Sequence, residues 1–332
     1  MTSSPSSSSA SLAPFRIEPK FDVRVWGYQD LRPWFDVQAT DEPIGEAWLT
    51  GDMCLVATGP HKGKRLDVLF REEHELLLGR GTPTADSPLL IKLIFAKEKL
   101  SVQVHPDDAM ARKYGDPRGK TECWFALAAE LGAQVAVGLK PGVSIGQVEK
   151  GIHDGTLEES LNILPVAKDD MIFVDAGTVH AIWPGAVLLE TQQNCDLTYR
   201  MYDYGRPREL HIEKAMEATR LTTRAGKVAA RELADRTVLI DTEYFRVEKI
   251  KVRGRRESSS LPSPSGSKLR PGLSYFFAAS GTGRISSNAF DTLDLPARAI
   301  AAIPATAPDF VIEDAGKLDL IRISPNWPGE PS

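Results

Sequence analysis

The chain has 332 residues, with 45 acidic and 40 basic side chains and a formal net charge of −5. This balance leaves no basic face for the phosphate backbone of a nucleic acid, and no apolar run approaches the roughly 20 residues that span a bilayer. Nucleic acids and membranes are therefore excluded as partners, and a small-molecule substrate is expected. Hydrophobic residues make up 42% of the sequence, enough for a sizeable core in one large domain or two ordinary ones.

The N-terminus and the cysteines indicate where the protein works. Residues 1–14 are mostly Ser, Ala and Pro and lack the basic start and apolar stretch of a secretory signal, so they are predicted to be a disordered tail. Cys54, Cys123 and Cys195 are odd in number and far apart, which argues against a disulfide framework and favours a reducing compartment. A cytoplasmic location is expected.

Past the tail, short apolar stretches with β-branched residues alternate with Gly, Pro and Asp, a pattern typical of β-barrels and sandwiches. Helical periodicity is confined to three segments, which are predicted to pack outside the barrels. These segments are 66–78, 143–164 with a Gly-containing break, and 208–221.

A second β-rich series begins at Thr237, so we predict a domain boundary near residue 236. The first domain would span 15–236, and 237–328 would form a smaller jelly roll. This smaller unit contains a Ser/Pro/Gly loop and three predicted strands, at 258–267, 273–278, 299–303 and 318–323 respectively.

The first candidate motif is the segment 101–106. Strict alternation places Ser101, Gln103 and His105 on one strand face and the two valines between them on the core face. Pro106 has no amide hydrogen for a sheet ladder and ends the strand. Taken alone, a Gln-x-His pair is better explained as a hydrogen-bonded pair on a solvated sheet face.

Two further motifs supply additional ligand types. Lys120 and Glu122 share a strand face after the turn at Gly119, and His180 begins a strand after the small-residue turn 175–178. Together Gln103, His105, Glu122 and His180 offer two imidazoles, a carboxylate and an amide oxygen, a plausible N2O2 set for one Zn²⁺ or a similar divalent ion. The mixed set favours a catalytic metal with an open coordination position over a cysteine-rich structural site. Alternation points Cys123 away from Glu122, into the core.

The segment 190–200 is unusually polar for a strand region. Glu190, Asp196 and Arg200 fall within eleven residues, shortly after the second candidate histidine. We interpret this segment as the wall of a pocket.

These motifs resemble, in the same order, the signature segments of type I mannose-6-phosphate isomerases, and the similarity extends from about Phe15 to the C-terminal region. The segments that carry the resemblance are 100–107 (LSVQVHPD), 119–122 (GKTE), 176–181 (AGTVHA) and 196–200 (DLTYR). Two departures stand out: Trp26-Gly27-Tyr28 replaces the Trp-Gly-Gly common in the family, and Ile182 replaces an aromatic residue of larger relatives.

The resemblance implies a mainly β fold of two cupin (jelly-roll) barrels with a few peripheral helices. It also implies interconversion of mannose 6-phosphate and fructose 6-phosphate, with one zinc ion per chain. The implied zinc ligands are Gln103, His105, Glu122 and His180. The implied catalytic and substrate-binding residues are Arg200, Lys120, Glu190, Asp196, Lys92 and Ser101.

We assign roles to these residues as a hypothesis. Glu190 is the candidate general base, and Arg200 and Lys120 would stabilise the developing oxyanion of an enediolate. Asp196 would hold the guanidinium of Arg200. Lys92 and Ser101 are the candidates for binding the phosphate, with Arg206 and Arg208 as weaker ones.

Two alternatives remain at this stage. The first is another metal-dependent sugar-modifying cupin enzyme, or an oxygenase that uses iron at the same type of ligand set. The second is a non-catalytic cupin that binds metal or sugar. The sequence predicts neither the oligomeric state nor the physiological metal.

Overall fold

The computed structural model describes residues 11–37, 40–82, 84–261 and 272–326. Antiparallel β-strands dominate it, and four α-helices lie among the described residues, so the predicted mainly β architecture with a few peripheral helices is confirmed. Among these residues, none of the helices has the length and apolar character needed to cross a membrane.

The described residues up to 202 contain thirteen strands and three α-helices. In chain order they are β1 Phe15–Glu18, β2 Lys20–Tyr28, β3 Ile44–Trp48, β4 Leu55–Val56, α1 Leu66–Leu78, β5 Leu89–Phe95, β6 Val102–Val104, α2 Asp108–Lys113, β7 Glu122–Ala129, β8 Gln134–Leu139, α3 Ile145–Asp154, β9 Leu161–Pro165, β10 Met171–Val174, β11 His180–Ile182, β12 Ala186–Gln193 and β13 Tyr199–Tyr202.

The remaining elements are one helix and eleven strands. They are α4 Ile212–Ala218, β14 Gly226–Val228, β15 Arg231–Glu232, β16 Thr237–Asp241, β17 Phe245–Lys251, β18 Arg255–Glu257, β19 Ser274–Ser280, β20 Gly283–Ser286, β21 Leu293–Leu295, β22 Ile300–Ile303, β23 Val311–Asp314 and β24 Asp319–Pro325. Short 3₁₀ turns lie at Leu157–Ser160 and Ser258–Ser260.

One helix prediction is confirmed and two are too long. The segment 66–78 is α1. In the second segment a capping box between Ser144 and Gln147 starts α3, which ends at Asp154 because Gly155 adopts the left-handed conformation of a C-cap. Residues 161–164, predicted as helix, instead belong to β9, which pairs with β8. Only 212–218 of the third segment is helical.

The strands of the described residues form four antiparallel sheets. The orders are β14-β10-β7-β12-β5-β3-β2 in the seven-stranded sheet, β13-β6-β11-β8-β9 in the five-stranded sheet, β15-β16-β17-β24-β19-β22-β1-β4 in the eight-stranded sheet and β18-β23-β20-β21 in the four-stranded sheet.

Alternation gives the seven-stranded sheet two buried faces. On one face Ile91 and Leu93 of β5 join a core cluster that also contains Phe277 and Ile321 of the eight-stranded sheet. On the other face a second cluster reaches across to β8 of the five-stranded sheet, through side chains such as Ile94. This sheet is therefore the middle layer of the molecule, and the residues on its second face can form a pocket with the five-stranded sheet.

Two further clusters complete the core. Val102 and Val104, on the face of β6 opposite Gln103, pack with residues of α3 and α4. Phe276 and Leu320 of the eight-stranded sheet pack against Ile312 of the four-stranded sheet. Helices α3 and α4 thus cover the five-stranded sheet from outside, whereas α1 packs in the first cluster.

The predicted division of the chain stays a prediction. In the eight-stranded sheet β1 pairs with β22 of the C-terminal region. Of the predicted tail, residues 1–10 lie outside the described residues, whereas Leu12 is buried and its amide donates to Thr306 Oγ1. The loop predicted at 258–267 also lies outside them from residue 262 onward.

Candidate metal centre and active site

Three buried side chains meet at the predicted metal site: His105 directly follows β6, and Glu122 and His180 begin β7 and β11. The candidate ligand atoms of His105, Glu122 and His180 all lie within 4.8 Å of one another. Nε2 of His105 is 3.6 Å from Glu122 Oε2, and Nε2 of His180 is 3.5 Å from Glu122 Oε1. All three side chains are at most 2% exposed, so the group is shielded from bulk water.

The backbone brings these side chains together from distant parts of the sequence. Gly119 lies so close to the chain after β6 that an added Cβ would sit 2.4 Å from the carbonyl carbon of Asp107. This close approach lets the amide of Lys120 donate to Pro106 O, which places Glu122 beside His105. On the other side, the amide of Gly177 donates to His105 O just before His180.

Both imidazoles are fixed in the tautomer that a metal requires. Nδ1 of His105 donates to Leu197 O at 2.7 Å, and Nδ1 of His180 donates to Thr178 O at 2.8 Å. Burial lowers the pKa of His180 to about 4 and that of His105 well below its usual value. Each ring is therefore neutral, with an unprotonated Nε2 directed toward Glu122.

Gln103 lies next to His180 in the register of β6 and β11. Its Nε2 is 3.3 Å from His180 Nε2, and its Oε1 accepts a hydrogen bond from Ser101 Oγ at 3.1 Å. All four predicted ligands are thus adjacent, with the amide nitrogen of Gln103 facing the histidine.

A row of residues crosses the middle layer beside this group. Trp124, Glu190, Lys92 and Trp48 are successive cross-strand partners on β7, β12, β5 and β3. Because direct partners point to the same face, all four side chains face the five-stranded sheet.

Charges alternate along this face. Lys92 Nζ lies 3.2 Å from Glu190 Oε1, 3.3 Å from Glu46 Oε1 and 3.7 Å from Asp196 Oδ1. Lys120 Nζ continues the series, 3.8 Å from Glu190 Oε1 and 3.1 Å from Glu122 Oε2. At the far end Arg24 contacts Glu46 at 2.8 Å.

The alternation determines the protonation of its members. Burial opposes the charge on Lys92, but Glu190 and Glu46 outweigh it, so its pKa is raised. Burial likewise opposes the charge on Glu46, but Lys92 and Arg24 bring its pKa down to about 2. Glu190 differs, since burial, reinforced by Glu122, raises its pKa. It is therefore the carboxyl group of this row whose pKa is displaced toward that of a general base.

The opposite wall carries arginines. Among the described residues Arg200 has no carboxylate within 4.0 Å, and its guanidinium donates to Glu209 O at 2.7 Å. Burial, then the nearby charge of Arg208, lowers the pKa of Arg200. Arg208 is held by two 2.6 Å hydrogen bonds to the buried carboxylate of Asp203. The wall is therefore positively charged.

A cavity of about 480 Å³ connects these groups. It is lined by Lys92, Ser101, Gln103, Lys120, Glu122, Glu190, Asp196 and Arg200 among the predicted residues. His105 and His180 are not in the lining but contact Glu122. The predicted ion pair between Asp196 and Arg200 is wrong, because Asp196 lies beside Lys92 instead. Ile182, the departure from larger relatives, also lines the cavity.

Sequence reasoning missed several lining residues, among them Arg24, Glu46 and Trp124. One signal was available. Lys92 is a single charge inside the otherwise apolar strand β5, which requires a buried counter-charge. Glu46, two residues from Trp48 on β3, supplies that charge.

Comparison with known proteins identifies the family of the chain. The sequence model of the phosphomannose isomerase type I catalytic domain matches residues 15–133. The mannose-6-phosphate isomerase of Streptococcus mutans serotype c is 34% identical over 254 residues, covering 73% of this chain and 79% of that protein.

Solved structures agree. The mannose 6-phosphate isomerase from Bacillus subtilis has a TM-score of 0.81 and 32% identity, covering 94% of this chain and 99% of that one. A mannose 6-phosphate isomerase bound with zinc and yttrium has a TM-score of 0.74 over 95% of this chain and all of its own, at 15% identity. The second similarity concerns the fold alone.

Proposed function

The chain belongs to the type I phosphomannose isomerase family, and we propose that it interconverts mannose 6-phosphate and fructose 6-phosphate with the help of one zinc ion. The observation that carries the proposal is the position of the His105, Glu122 and His180 group at the cavity. This group lies beside the buried ion pairs that Lys92 and Lys120 form with Glu190. Such a site combines a metal, a buried base and fixed cations.

The donor set fits a metal ion. Nε2 of His105 and both carboxylate oxygens of Glu122 are buried and form no hydrogen bond with described residues, and the ammonium of Lys120 lies 3.1 Å from Glu122 Oε2 only. A metal ion would satisfy His105 Nε2 and Glu122 Oε1, which are otherwise costly to bury. With its amide turned by half a turn, Gln103 would supply an oxygen ligand, and its nitrogen would then donate to Ser101 Oγ. Two imidazoles with oxygen ligands suit zinc, which when bound polarises a sugar oxygen as a Lewis acid.

Glu190 is the proposed base for the proton transfer. Its Oε1 takes the proton from C2 of the open-chain aldose, and the released electron pair forms the C1–C2 double bond while the C1 carbonyl becomes an oxyanion. The resulting cis-enediolate then collapses: C1 receives the proton from Glu190, and the proton on O2 passes to O1 as C2 becomes a carbonyl. The raised pKa of Glu190 suits a group that must both accept and return a proton.

Fixed cations stabilise the oxyanion. Lys120 is held between Glu122 and Glu190, so its ammonium is already oriented where the enediolate charge develops. Arg200, with no carboxylate partner among the described residues, is the second proposed cation. Asp196 and Lys92 would contact sugar hydroxyls from the opposite wall.

The phosphate is best placed at the arginine wall. Lys92 is surrounded by three carboxylates, which would repel a phosphate dianion. Arg208 offers a second guanidinium near Arg200. Its Nε and Nη2 donate to Asp203, so we assign the phosphate contact to its Nη1. Ser101, bonded to Gln103, would then contact the sugar end of the substrate.

Coupled-assay turnover of mannose 6-phosphate tests the proposal. The wild-type protein and an Arg231→Ala variant, altered at an exposed arginine on β15, should be active, and an Arg200→Ala variant should lose activity by on the order of 100-fold or more. A wild-type protein that produces no fructose 6-phosphate would contradict the proposed activity and favour a binding role.

A further inference from the structure

The indole of Trp124 is bonded to the proposed base. Its Nε1 donates to Glu190 Oε2 at 3.0 Å, and the residues are 0% and 3% exposed. They are direct partners in the register of β7 and β12. A buried hydrogen bond to a carboxylate is one of the stronger kinds in proteins.

The other carboxylate oxygen of Glu190 has different surroundings. Oε1 accepts no hydrogen bond from the described residues, although the ammonium groups of Lys92 and Lys120 lie 3.2 and 3.8 Å away. The two oxygens of the Glu190 carboxylate therefore differ. Oε2 is held by a hydrogen bond within the sheet, and Oε1 is available to a substrate in the cavity.

Without the hydrogen bond from Trp124, the carboxylate of Glu190 would not hold this orientation. The terminal torsion of Glu is broad, so the plane of the carboxylate rotates readily unless one oxygen is held. Trp124 is rigidly packed, because its ring belongs to the core cluster of this face and contacts the His180 ring edge-on at 5.6 Å. It can therefore hold Oε2 at one point.

The same arrangement recurs on the other side of Lys92. Trp48 Nε1 donates to Glu46 Oε2 at 2.9 Å, while Glu46 Oε1 faces Lys92 at 3.3 Å. Both carboxylates that flank the buried lysine thus have one oxygen tied to an indole and the other directed at the ammonium.

We propose that Trp124 is a positioning residue for Glu190, fixing Oε2 so that Oε1 faces the C1–C2 edge of the sugar. This inference rests on the proposed function, with Glu190 as the base. It predicts that the indole hydrogen bond contributes to proton transfer and contributes little to substrate or metal binding.

Two variants test this role by removing the indole N–H of Trp124. One also makes the ring system smaller, and the other keeps its shape. Trp124→Phe truncates the side chain, and benzothienylalanine at position 124 keeps its shape but replaces N–H by sulfur. Both variants should retain the zinc content of the wild type, with kcat lowered about 10- to 100-fold and KM changed by less than about threefold. Trp34→Phe, at a partly buried indole outside the cavity lining, should match the wild type.

A double-mutant cycle separates positioning from general stability. In a Glu190→Gln background the Trp124→Phe change should cost less than about twofold in kcat, because there is no base left to orient. Equal losses in both backgrounds, or wild-type kcat with benzothienylalanine, would overturn the positioning role. If the wild type itself fails to turn over mannose 6-phosphate, the proposed function falls first, and this inference falls with it.

Discussion

Replacing Lys92 by methionine should destabilise the protein in a pH-dependent way. The side chain is 3% exposed and lies 3.2 to 3.3 Å from two carboxylates that are themselves nearly buried. At an effective dielectric constant near 20, each such pair is worth about 5 kcal/mol before desolvation is subtracted. Removing one partner of a buried ion pair typically costs about 3–5 kcal/mol, and we expect about 3 kcal/mol here because Arg24 still neutralises Glu46.

The sign of the pH dependence follows from Glu190. Burial already raises its pKa above the usual value, and without Lys92 that pKa rises further. A carboxyl group whose pKa is higher in the folded state than in the unfolded state takes up a proton on folding. Raising the pH from the unfolded-state pKa to the folded-state pKa therefore lowers the stability of the folded state. The deficit of Lys92→Met should therefore be smaller near pH 5 than near pH 8.

Urea denaturation followed by tryptophan fluorescence measures this deficit, with Lys97→Met as the control for losing an exposed lysine from the adjoining segment. The double variant Lys92→Met/Glu190→Gln should recover much of the lost stability, since it removes an uncompensated carboxylate. A Lys92→Met protein as stable as Lys97→Met near pH 8, or a deficit that does not change with pH, would refute this reasoning.

Three other predictions follow from the same site. Gly119→Ala should lower zinc affinity about 10-fold or more, because the new Cβ would meet backbone atoms at 2.4 to 2.7 Å and displace the segment leading to Glu122. Metal titration of the variant measures this affinity, and a value like that of the wild type would contradict the prediction. Arg208→Ala should raise KM for mannose 6-phosphate about 10-fold or more with a smaller effect on kcat, which steady-state kinetics resolves; a KM like that of the wild type would place the phosphate elsewhere. Cys123 is 1% exposed and burial raises its pKa, so it should react with a thiol reagent only on unfolding. The partly exposed Cys195 should react first in the native protein. Early labelling of Cys123, found by peptide mapping, would contradict this prediction and show that this strand face is open.

Much of the metal site could be anticipated because strand alternation is a local property. The positions of Gln103, His105 and Glu122 relative to their neighbours required only a period of two and a turn at Gly119. The strand that begins at His180 was also visible locally, since a turn of small residues precedes it.

What could not be anticipated depends on register between distant strands. Nothing near Lys92 in the sequence specifies that its partners are Glu190 on one side and Trp48 on the other. Asp196 was likewise assigned to Arg200, its near neighbour in sequence, whereas the connection between β12 and β13 places it beside Lys92. The prediction of helix at 161–164 is wrong for a similar reason. The pattern of apolar residues there fits a helix or a strand, and pairing with β8 decides for the strand.

The roles of Trp48 and Trp124 were equally hidden. An aromatic residue in an apolar strand is normally core, and both indoles do pack there. The cross-strand register places the N–H of Trp124 at Glu190, whereas the N–H of Trp48 meets Glu46, two residues before it on β3. Polar functions of aromatic side chains thus depend on contacts that sequence patterns do not specify.

Zinc titration of metal-stripped protein, with activity on mannose 6-phosphate as the readout, tests the central claim most directly. Activity should be absent without metal, rise linearly with added zinc and stop rising at one equivalent. A Glu122→Gln variant should need on the order of 100-fold more zinc to approach its own plateau. Full turnover by the metal-free protein, or a Glu122→Gln variant that titrates like the wild type, would contradict the account.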